Sequence, residues 1–123
     1  MSLITELHHA SLIVADTARS LGFYQDLLGL EADGNRPDLG YPGAWLWVGG
    51  RQLHLLQLPN PDPVQGRPAH GGRDRHVAFV VAKLDLLVDR LESAGVAYTL
   101  SRSGRRALFC RDPDGNALEF MES

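Results

Sequence analysis

The stretch His9-Ala-Ser-Leu-Ile-Val-Ala-Asp16 is followed by an amphipathic segment that ends at Gly29. The same pattern recurs as His76-Val-Ala-Phe-Val-Val-Ala-Lys83, followed by an amphipathic segment that ends at Gly95. The two copies are offset by 67 residues at the histidines (76 − 9) and by 66 at the glycines (95 − 29). A near-constant offset indicates an internal duplication. The chain is therefore expected to consist of two copies of one structural module.

The far end of each copy also corresponds. Leu53-His54-Leu55 aligns with Leu118-Glu119-Phe120 at an offset of 65 (119 − 54). The duplication thus singles out four ionisable side chains, which are His9, His54, His76 and Glu119. Imidazole and carboxylate are ligands of divalent transition metals. If a pseudo-two-fold axis relates the copies, residues at equivalent depth converge near it, which predicts one mononuclear metal site.

Composition bounds the class of protein. A chain of 123 residues is expected to form one domain, residues 1–123, with an ordinary globular composition. The net charge of −3 provides no basic surface for nucleic acid or for anionic membrane lipids. A single cysteine, Cys110, excludes an intrachain disulfide, and no segment is apolar enough for a signal region or a membrane span. These features are typical of a cytoplasmic protein.

Hydrophobic periodicity predicts the same order of elements, βαβββ, in each copy. Module 1 covers about 4–58, a Pro/Gly-rich linker about 59–73, and module 2 about 74–122. The expected strands are 4–15, 30–32, 44–48, 51–58, 75–82, 96–101, 106–111 and 116–122, and the expected helices are 16–28 and 84–94. Asp16 is the predicted N-cap of the first helix, and Gly29 and Gly95 are the predicted stops. The fold class is accordingly α+β.

Four segments resemble the vicinal oxygen chelate superfamily, the glyoxalase/bleomycin resistance/dioxygenase group. They are the His9–Asp16 copy, Leu21-Gly-Phe-Tyr24 with Leu27-Leu-Gly-Leu30, Arg75-His76-Val-Ala-Phe-Val-Val81, and Phe109-Cys-Arg-Asp-Pro-Asp-Gly-Asn-Ala-Leu-Glu119. The Asp-Pro-Asp-Gly-Asn turn leading to a glutamate is the most specific of them. The resemblance implies two tandem βαβββ modules that form a cupped eight-stranded mixed sheet with helices outside. It also implies a homodimer and one divalent metal in the cup.

The resemblance places the metal ligands by strand. The first-strand ligand is His9, the fifth-strand ligand His76, the last-strand ligand Glu119, and the fourth-strand position falls on His54. The metal is left open among Zn, Ni, Co, Mn and Fe, since a site of this type accepts all of them. The implied activity is lyase or isomerase chemistry on a small oxygenated substrate, with Glu119 and His54 as catalytic residues.

One position departs from the family pattern and leaves other functions open. Glyoxalase I relatives usually carry Glu or Gln where this chain has His54, and their chemistry needs a carboxylate on each side of the substrate carbon. An Fe(II) extradiol dioxygenase would need only His9, His76 and Glu119, with His54 as an acid or base behind them. A metal-free, bleomycin-type drug-binding protein is the alternative from another class. A thiol transferase acting on fosfomycin is a fourth, weaker alternative.

Five further residues are candidates for substrate binding. They are Ser11, Trp45, Trp47, Gln52 and Arg106. The two tryptophans share a face and could stack on a substrate, although core or dimer-interface positions are favoured for them. Ser11 and Gln52 could bind the substrate, hold the second nitrogen of a ligand, or be satisfied core groups. Arg106, or its neighbour Arg105, could bind a carboxylate or phosphonate if it points into the cup, whereas a solvated turn is the favoured interpretation.

Three further residues with ionisable side chains are expected to have no part in the metal or substrate site. His70 lies in the linker and is expected to be a mobile surface residue. Strand alternation would point His8 away from His9, which predicts a structural role. Cys110 lacks a cationic environment and is expected to be an inert buried thiol.

Overall fold

The computed structural model describes all residues, 1–123. In chain order the first module contains β1 (His9–Val14), α1 (Thr17–Leu21) continuing into a π-helical segment (Gly22–Leu27), β2 (Glu31–Ala32), β3 (Gly43–Val48) and β4 (Arg51–Gln57). After a one-turn 3-10 helix (Gly71–Arg73), the second module contains β5 (His76–Val81), α2 (Leu84–Ser93), β6 (Tyr98–Leu100), β7 (Ala107–Arg111) and β8 (Ala117–Glu122). The predicted βαβββ order is confirmed in both modules. No helix has the length and apolar character needed to cross a bilayer.

The strands form two four-stranded mixed sheets, in the orders β1-β4-β3-β2 and β5-β8-β7-β6. In each sheet the first and last strands of the module are parallel neighbours, and the remaining pairs are antiparallel. This equivalence confirms the α+β class and the duplication. The eight strands are divided between two hydrogen-bonded sheets, one for each module.

The strand register repeats between the modules. His54 on β4 lies opposite the residue two positions beyond His9 on β1. Glu119 on β8 lies opposite the residue two positions beyond His76 on β5. Because side chains alternate along a strand, the members of each pair project from the same face of their sheet.

The opposite faces form the core. Leu53 and Leu55 flank His54 and are each 1% exposed, while Leu118 and Phe120 flank Glu119 and are buried as well. Both modules contribute to one cluster of 15 buried residues. The ionisable residues therefore project from strands that the alternating apolar residues hold in place, as the period of two predicts.

The first helix begins and ends where the sequence predicts, but it changes type on the way. The Asp16 side chain accepts a hydrogen bond from the Arg19 N–H, and Gly29 adopts a φ of 81° after the last turn. Between them the chain widens into π geometry, with the Leu28 N–H donating to the Phe23 carbonyl. A side chain at position 29 would be strained at this φ, which explains the glycine.

The first strand is shorter than predicted. β1 starts at His9, opposite Gln52, and residues 1–8 have no partner strand. The apolar side chains of Ile4 and Leu7 are consequently exposed. Strand alternation does not apply before β1, so the prediction that His8 points away from His9 is wrong: their Nδ1 atoms are 2.9 Å apart.

The Asp-Pro-Asp-Gly-Asn turn connects the two modules. The buried Asp112 carboxylate accepts hydrogen bonds from the Tyr24 hydroxyl at 2.7 Å and from the Asn116 side chain and backbone at 2.9 Å each. Asp114 accepts from the Ala15 N–H at 3.0 Å, and the Asn116 side chain donates to the Ile13 carbonyl at 3.0 Å. The motif that is most specific in the sequence therefore has a structural role in joining the modules.

Candidate metal centre

The first module presents a stack of three rings on its exposed sheet face. The His54 imidazole lies between His9, at a centroid distance of 4.0 Å, and Trp45, at 4.5 Å. Both stacks are nearly parallel, with interplanar angles of 20° and 9°. His54 is only 8% exposed, whereas His9 is exposed. Trp45 thus covers one face of a candidate ligand.

A hydrogen-bond chain sets the tautomer of His54. Asp33 accepts from the Gln52 amide nitrogen at 2.9 Å, which orients the amide oxygen of Gln52 towards His54. That oxygen lies 2.8 Å from His54 Nε2 and can only accept, so Nε2 carries the proton. The Nδ1 atom of the neutral ring then keeps its lone pair for a metal or a proton. Gln52 therefore holds the second nitrogen of a candidate ligand, one of the roles predicted for it.

The surroundings of His54 favour its neutral form. Burial, followed by the neighbouring His9 ring, lowers the pKa of His54 below its ordinary value of 6.5. Desolvation and a second imidazole both disfavour the imidazolium. A neutral imidazole is the form that binds metals, so this environment fits a ligand.

Because the pKa of His54 is lower in the folded state than in the unfolded state, unfolding takes up protons below about pH 6.5. The free energy of unfolding is therefore expected to decrease as the pH falls below that value. In His54→Gln this decrease should be smaller, because unfolding of the variant takes up as much as one proton fewer in this pH range. Urea unfolding of the metal-free protein at several pH values measures both slopes, and equal slopes in the two proteins would contradict the expectation.

The second module presents an imidazole and a carboxylate in contact. His76 Nε2 lies 3.2 Å from Glu119 Oε1, and their side chains are 27% and 9% exposed. The other ring nitrogen, Nδ1, lies 2.8 Å from the carbonyl oxygen of Asp74. A carbonyl only accepts, so Nδ1 is the donor and, in the neutral ring, Nε2 carries a lone pair. Two electron-rich atoms then face each other, which requires a proton or a cation between them.

This arrangement fits a metal ligand pair. Ligand atoms about 2.0–2.2 Å from a metal lie about 3–3.5 Å from each other, which includes the observed His76–Glu119 separation. A ligating histidine typically donates its second N–H to a carbonyl or carboxylate, as His76 does here. The donors present therefore suit a divalent transition metal.

The structure does not bring the four side chains together within one chain. His9 and His54 form one pair and His76 and Glu119 the other, and no group of three or more potential ligands lies close enough to hold an ion. The sequence predicts convergence near a pseudo-axis and leaves open whether the ligands come from one chain or from two. Each module supplies a half-site: the first is defined by His9 and His54, the second by His76 and Glu119.

The other predicted substrate-binding residues are dispersed. Ser11 lines a cavity of about 290 Å³ that also contains His76. Trp47 is 43% exposed on the same face as Trp45. The prediction for Arg106 is not supported by its position, since the guanidinium is held by Asp85 and Glu122 on the outside of the module.

Sequence reasoning missed residues that act through hydrogen bonds. Asp33, in a turn after β2, orients Gln52. Asp74 carries its own ion pairs with Arg67 and Arg111, and hydrogen bonds led by Arg67 hold the pKa of its carboxyl well below the usual range. Those ion pairs fix the segment whose carbonyl orients His76. No spacing rule indicates such contacts, because each depends on a loop conformation.

The prediction of a mobile surface position for His70 is wrong. His70 is 8% exposed, its Nδ1 lies 2.7 Å from the Thr99 hydroxyl, and its ring meets the edge of Phe109. A Cβ at Gly72 would lie 2.8 Å from His70 Nε2, so a larger residue there would displace the ring. The end of the linker is thus packed against module 2 near the second half-site.

Cys110 is a buried free thiol, as predicted. Burial raises its pKa to about 12. The thiolate is therefore scarce at neutral pH, and the residue is chemically inert.

Comparison with known proteins gives a consistent result. The model of the Glyoxalase/Bleomycin resistance protein/Dioxygenase superfamily matches residues 6–120. Glyoxylase I 4 of Arabidopsis thaliana is 31% identical over 121 residues, covering 94% of this chain and 70% of that protein. The glutathione transferase FosA of Serratia marcescens is 32% identical over 120 residues, covering 95% and 80%.

Among solved structures, the fold is shared with a mutant of the fosfomycin resistance protein FosX from Listeria monocytogenes, complexed with Mn(II) and 1S,2S-dihydroxypropylphosphonic acid. The TM-score is 0.77 at 21% identity, covering 98% of this chain and 94% of that one. The match to the family model over nearly the whole chain extends the likeness from the fold to the sequence. This chain belongs to the Glyoxalase/Bleomycin resistance protein/Dioxygenase superfamily.

Proposed function

We propose that this protein is a divalent-metal-dependent enzyme with glyoxalase-type lyase or isomerase activity on a small oxygenated substrate. The observation that carries the proposal is the His76–Glu119 pair. Its 3.2 Å separation, with the second nitrogen of His76 committed to the Asp74 carbonyl, leaves a place that a cation fits. His9 and His54 would supply the remaining donors.

The two half-sites suggest a homodimer. In a two-fold dimer, the first half-site of one protomer can meet the second half-site of its partner, and symmetry then forms the site twice. The strand faces that carry the ligands are open in the single chain, since Ala78 and Val80, beyond His76 on β5, are exposed. A partner that covers this face would complete each centre with three imidazoles and one carboxylate.

Each residue of the site has a separate role in the proposed reaction. When bound, the metal would act as a Lewis acid that stabilises negative charge on a substrate oxygen. Glu119 is the carboxylate available to accept a proton from the substrate and return it. His54, whose pKa burial lowers, has one free lone pair, at Nδ1, which can bind the metal or, in a centre that leaves His54 uncoordinated, accept a proton. Gln52 and Trp45 would hold the His54 ring in place.

The relatives support this class of activity. Glyoxylase I 4 and FosA are named as enzymes, and the FosX complex contains Mn(II). A relative from Haemophilus influenzae, 28% identical over 126 residues, is named lactoylglutathione lyase. Because this chain has His54 where glyoxalase I relatives carry Glu or Gln, a reaction that needs only one carboxylate is favoured.

The proposal is tested by removing metal with a chelator, restoring Zn, Ni, Co, Mn or Fe(II) one at a time, and assaying panels of lyase, isomerase and oxygenase substrates. We expect metal-dependent turnover of a lyase or isomerase substrate that the chelator abolishes. Oxygen uptake with catechols in the Fe(II) form alone would replace the proposal with a dioxygenase. Tight binding of a bleomycin-type drug by the metal-free protein, with no turnover, would replace it with a binding protein.

A further inference from the structure

A second feature lies next to the second half-site. A cavity of about 330 Å³ contains both His76 and Glu119 and extends to the loop between β6 and β7. Of its ten lining residues only one, Phe109, is hydrophobic. This volume is large enough for a small ligand. Cavities that bind small molecules are ordinarily lined mostly by apolar residues, so this polar lining is unusual.

Positive charge dominates the lining. Three arginines, Arg73, Arg102 and Arg105, line the cavity, and Glu119 is its one acidic residue. None of the three has a carboxylate oxygen within 4.0 Å of its guanidinium nitrogens; Arg105 instead contacts the Ser103 hydroxyl and the Met121 sulfur. The cavity is thus lined by three guanidinium groups that form no ion pair with a carboxylate of the protein.

Most arginines elsewhere in the chain are paired with a carboxylate. Six of the eight remaining arginines form an ion pair with a carboxylate: Arg19, Arg51, Arg67, Arg75, Arg106 and Arg111. With a net charge of −3, the protein has carboxylates to spare. The absence of carboxylates paired with Arg73, Arg102 and Arg105 is therefore a local feature and not a consequence of overall composition.

Neutral donors complete the lining. The hydroxyls of Ser101 and Ser103 lie 2.7 Å apart at the loop, and His70 packs at the other side with its Nδ1 on Thr99. Hydroxyl, imidazole and guanidinium groups can all donate hydrogen bonds to an oxyanion. Guanidinium groups in particular bind phosphonate, phosphate and carboxylate in a bidentate manner.

We propose that the cavity lined by Arg73, Arg102 and Arg105 binds an oxyanion group of the substrate, a phosphonate, phosphate or carboxylate, beside the candidate metal centre. This inference rests on the proposed function and narrows the substrate to an anionic, oxygen-rich small molecule. The anion would lie on the arginines, with the remainder of the substrate directed towards His76 and Glu119. Of the two arginines for which the sequence suggests this role, Arg105 lines the cavity and Arg106 does not, and Arg102 joins Arg105 there.

The test uses metal-free full-length protein, so that no metal can bind the probe. Inorganic phosphate and, separately, malonate are titrated by calorimetry at low ionic strength into wild type, Arg102→Gln/Arg105→Gln, Arg106→Gln and the distant control Arg51→Gln. We expect saturable binding of at least one probe to the wild type. The double variant should bind it at least about tenfold more weakly, while Arg106→Gln and Arg51→Gln should remain close to wild type. The preferred probe identifies the anion.

Three results would overturn the inference: no saturable binding of either probe, equal binding by the double variant, or an equal loss in Arg106→Gln. Circular dichroism of each variant shows whether it is folded, and Arg102→Gln alone serves if the double variant is not. Titrating the same samples with a divalent metal separates the two proposals. Metal binding without anion binding contradicts only the anion site, whereas anion binding without metal binding contradicts the proposed function.

Discussion

Glu119→Gln is expected to weaken binding of a divalent metal by roughly 100-fold or more, which corresponds to about 2.7 kcal/mol. The substitution keeps the size of the side chain but removes the negative charge that faces His76 Nε2 at 3.2 Å. A neutral amide oxygen is a poorer ligand for a transition metal than a carboxylate. Competition with a metal-sensitive dye measures the affinity.

The same substitution should leave the metal-free fold intact. In Glu119→Gln the new amide can donate a hydrogen bond to the lone pair of His76 Nε2, so the urea midpoint without metal should not fall. Glu31→Gln, at an exposed position on β2, is the matched control and should bind metal like the wild type. Unchanged metal affinity in Glu119→Gln would mean that this carboxylate is not a ligand.

Asp112→Ala is expected to lower the free energy of unfolding by about 3–5 kcal/mol. The carboxylate is 5% exposed and accepts the Tyr24 hydroxyl together with three hydrogen bonds inside its own turn. Its removal leaves several buried donors without an acceptor and separates the first helix from the turn of the second module.

Urea unfolding measures this loss, with Asp26→Ala as the control. Asp26 is exposed in the π-helical segment, and its substitution should leave the midpoint unchanged. If Asp112→Ala unfolds at the wild-type midpoint, the turn does not join the modules energetically. Tyr24→Phe, which removes only the hydroxyl that donates to Asp112, is expected to cost less than Asp112→Ala.

The sequence predicts the fold and the strand faces on which the candidate ligands lie, because both follow from local periodicity. The spacing of His9 and His76 fixes equivalent first strands, and the flanking apolar residues place His54 and Glu119 on the face opposite the core. A period of two decides which face a side chain takes, and the duplication decides which strands are equivalent.

Other parts of the site depend on contacts that no periodicity encodes. Asp33 reaches Gln52 from a turn, and His70 packs on Phe109 because the end of the Pro/Gly-rich linker folds back on module 2. The choice between Arg105 and Arg106 is a matter of loop direction, and the nearby Asp85 and Glu122 settle it by pairing with Arg106. Separation of the four ligands into two half-sites depends on how the modules pack, which alternation along a strand does not determine.

The central claim is that a metal centre forms from the first half-site of one chain and the second half-site of another. The most direct test mixes two inactive variants, His9→Ala/His54→Ala and His76→Ala/Glu119→Gln, by co-expression. Neither variant alone should retain metal, but each mixed dimer would contain one intact site, so random mixing predicts about 0.25 metal ions per chain. Metal content no higher in the mixture than in the separate variants would contradict a centre shared between chains.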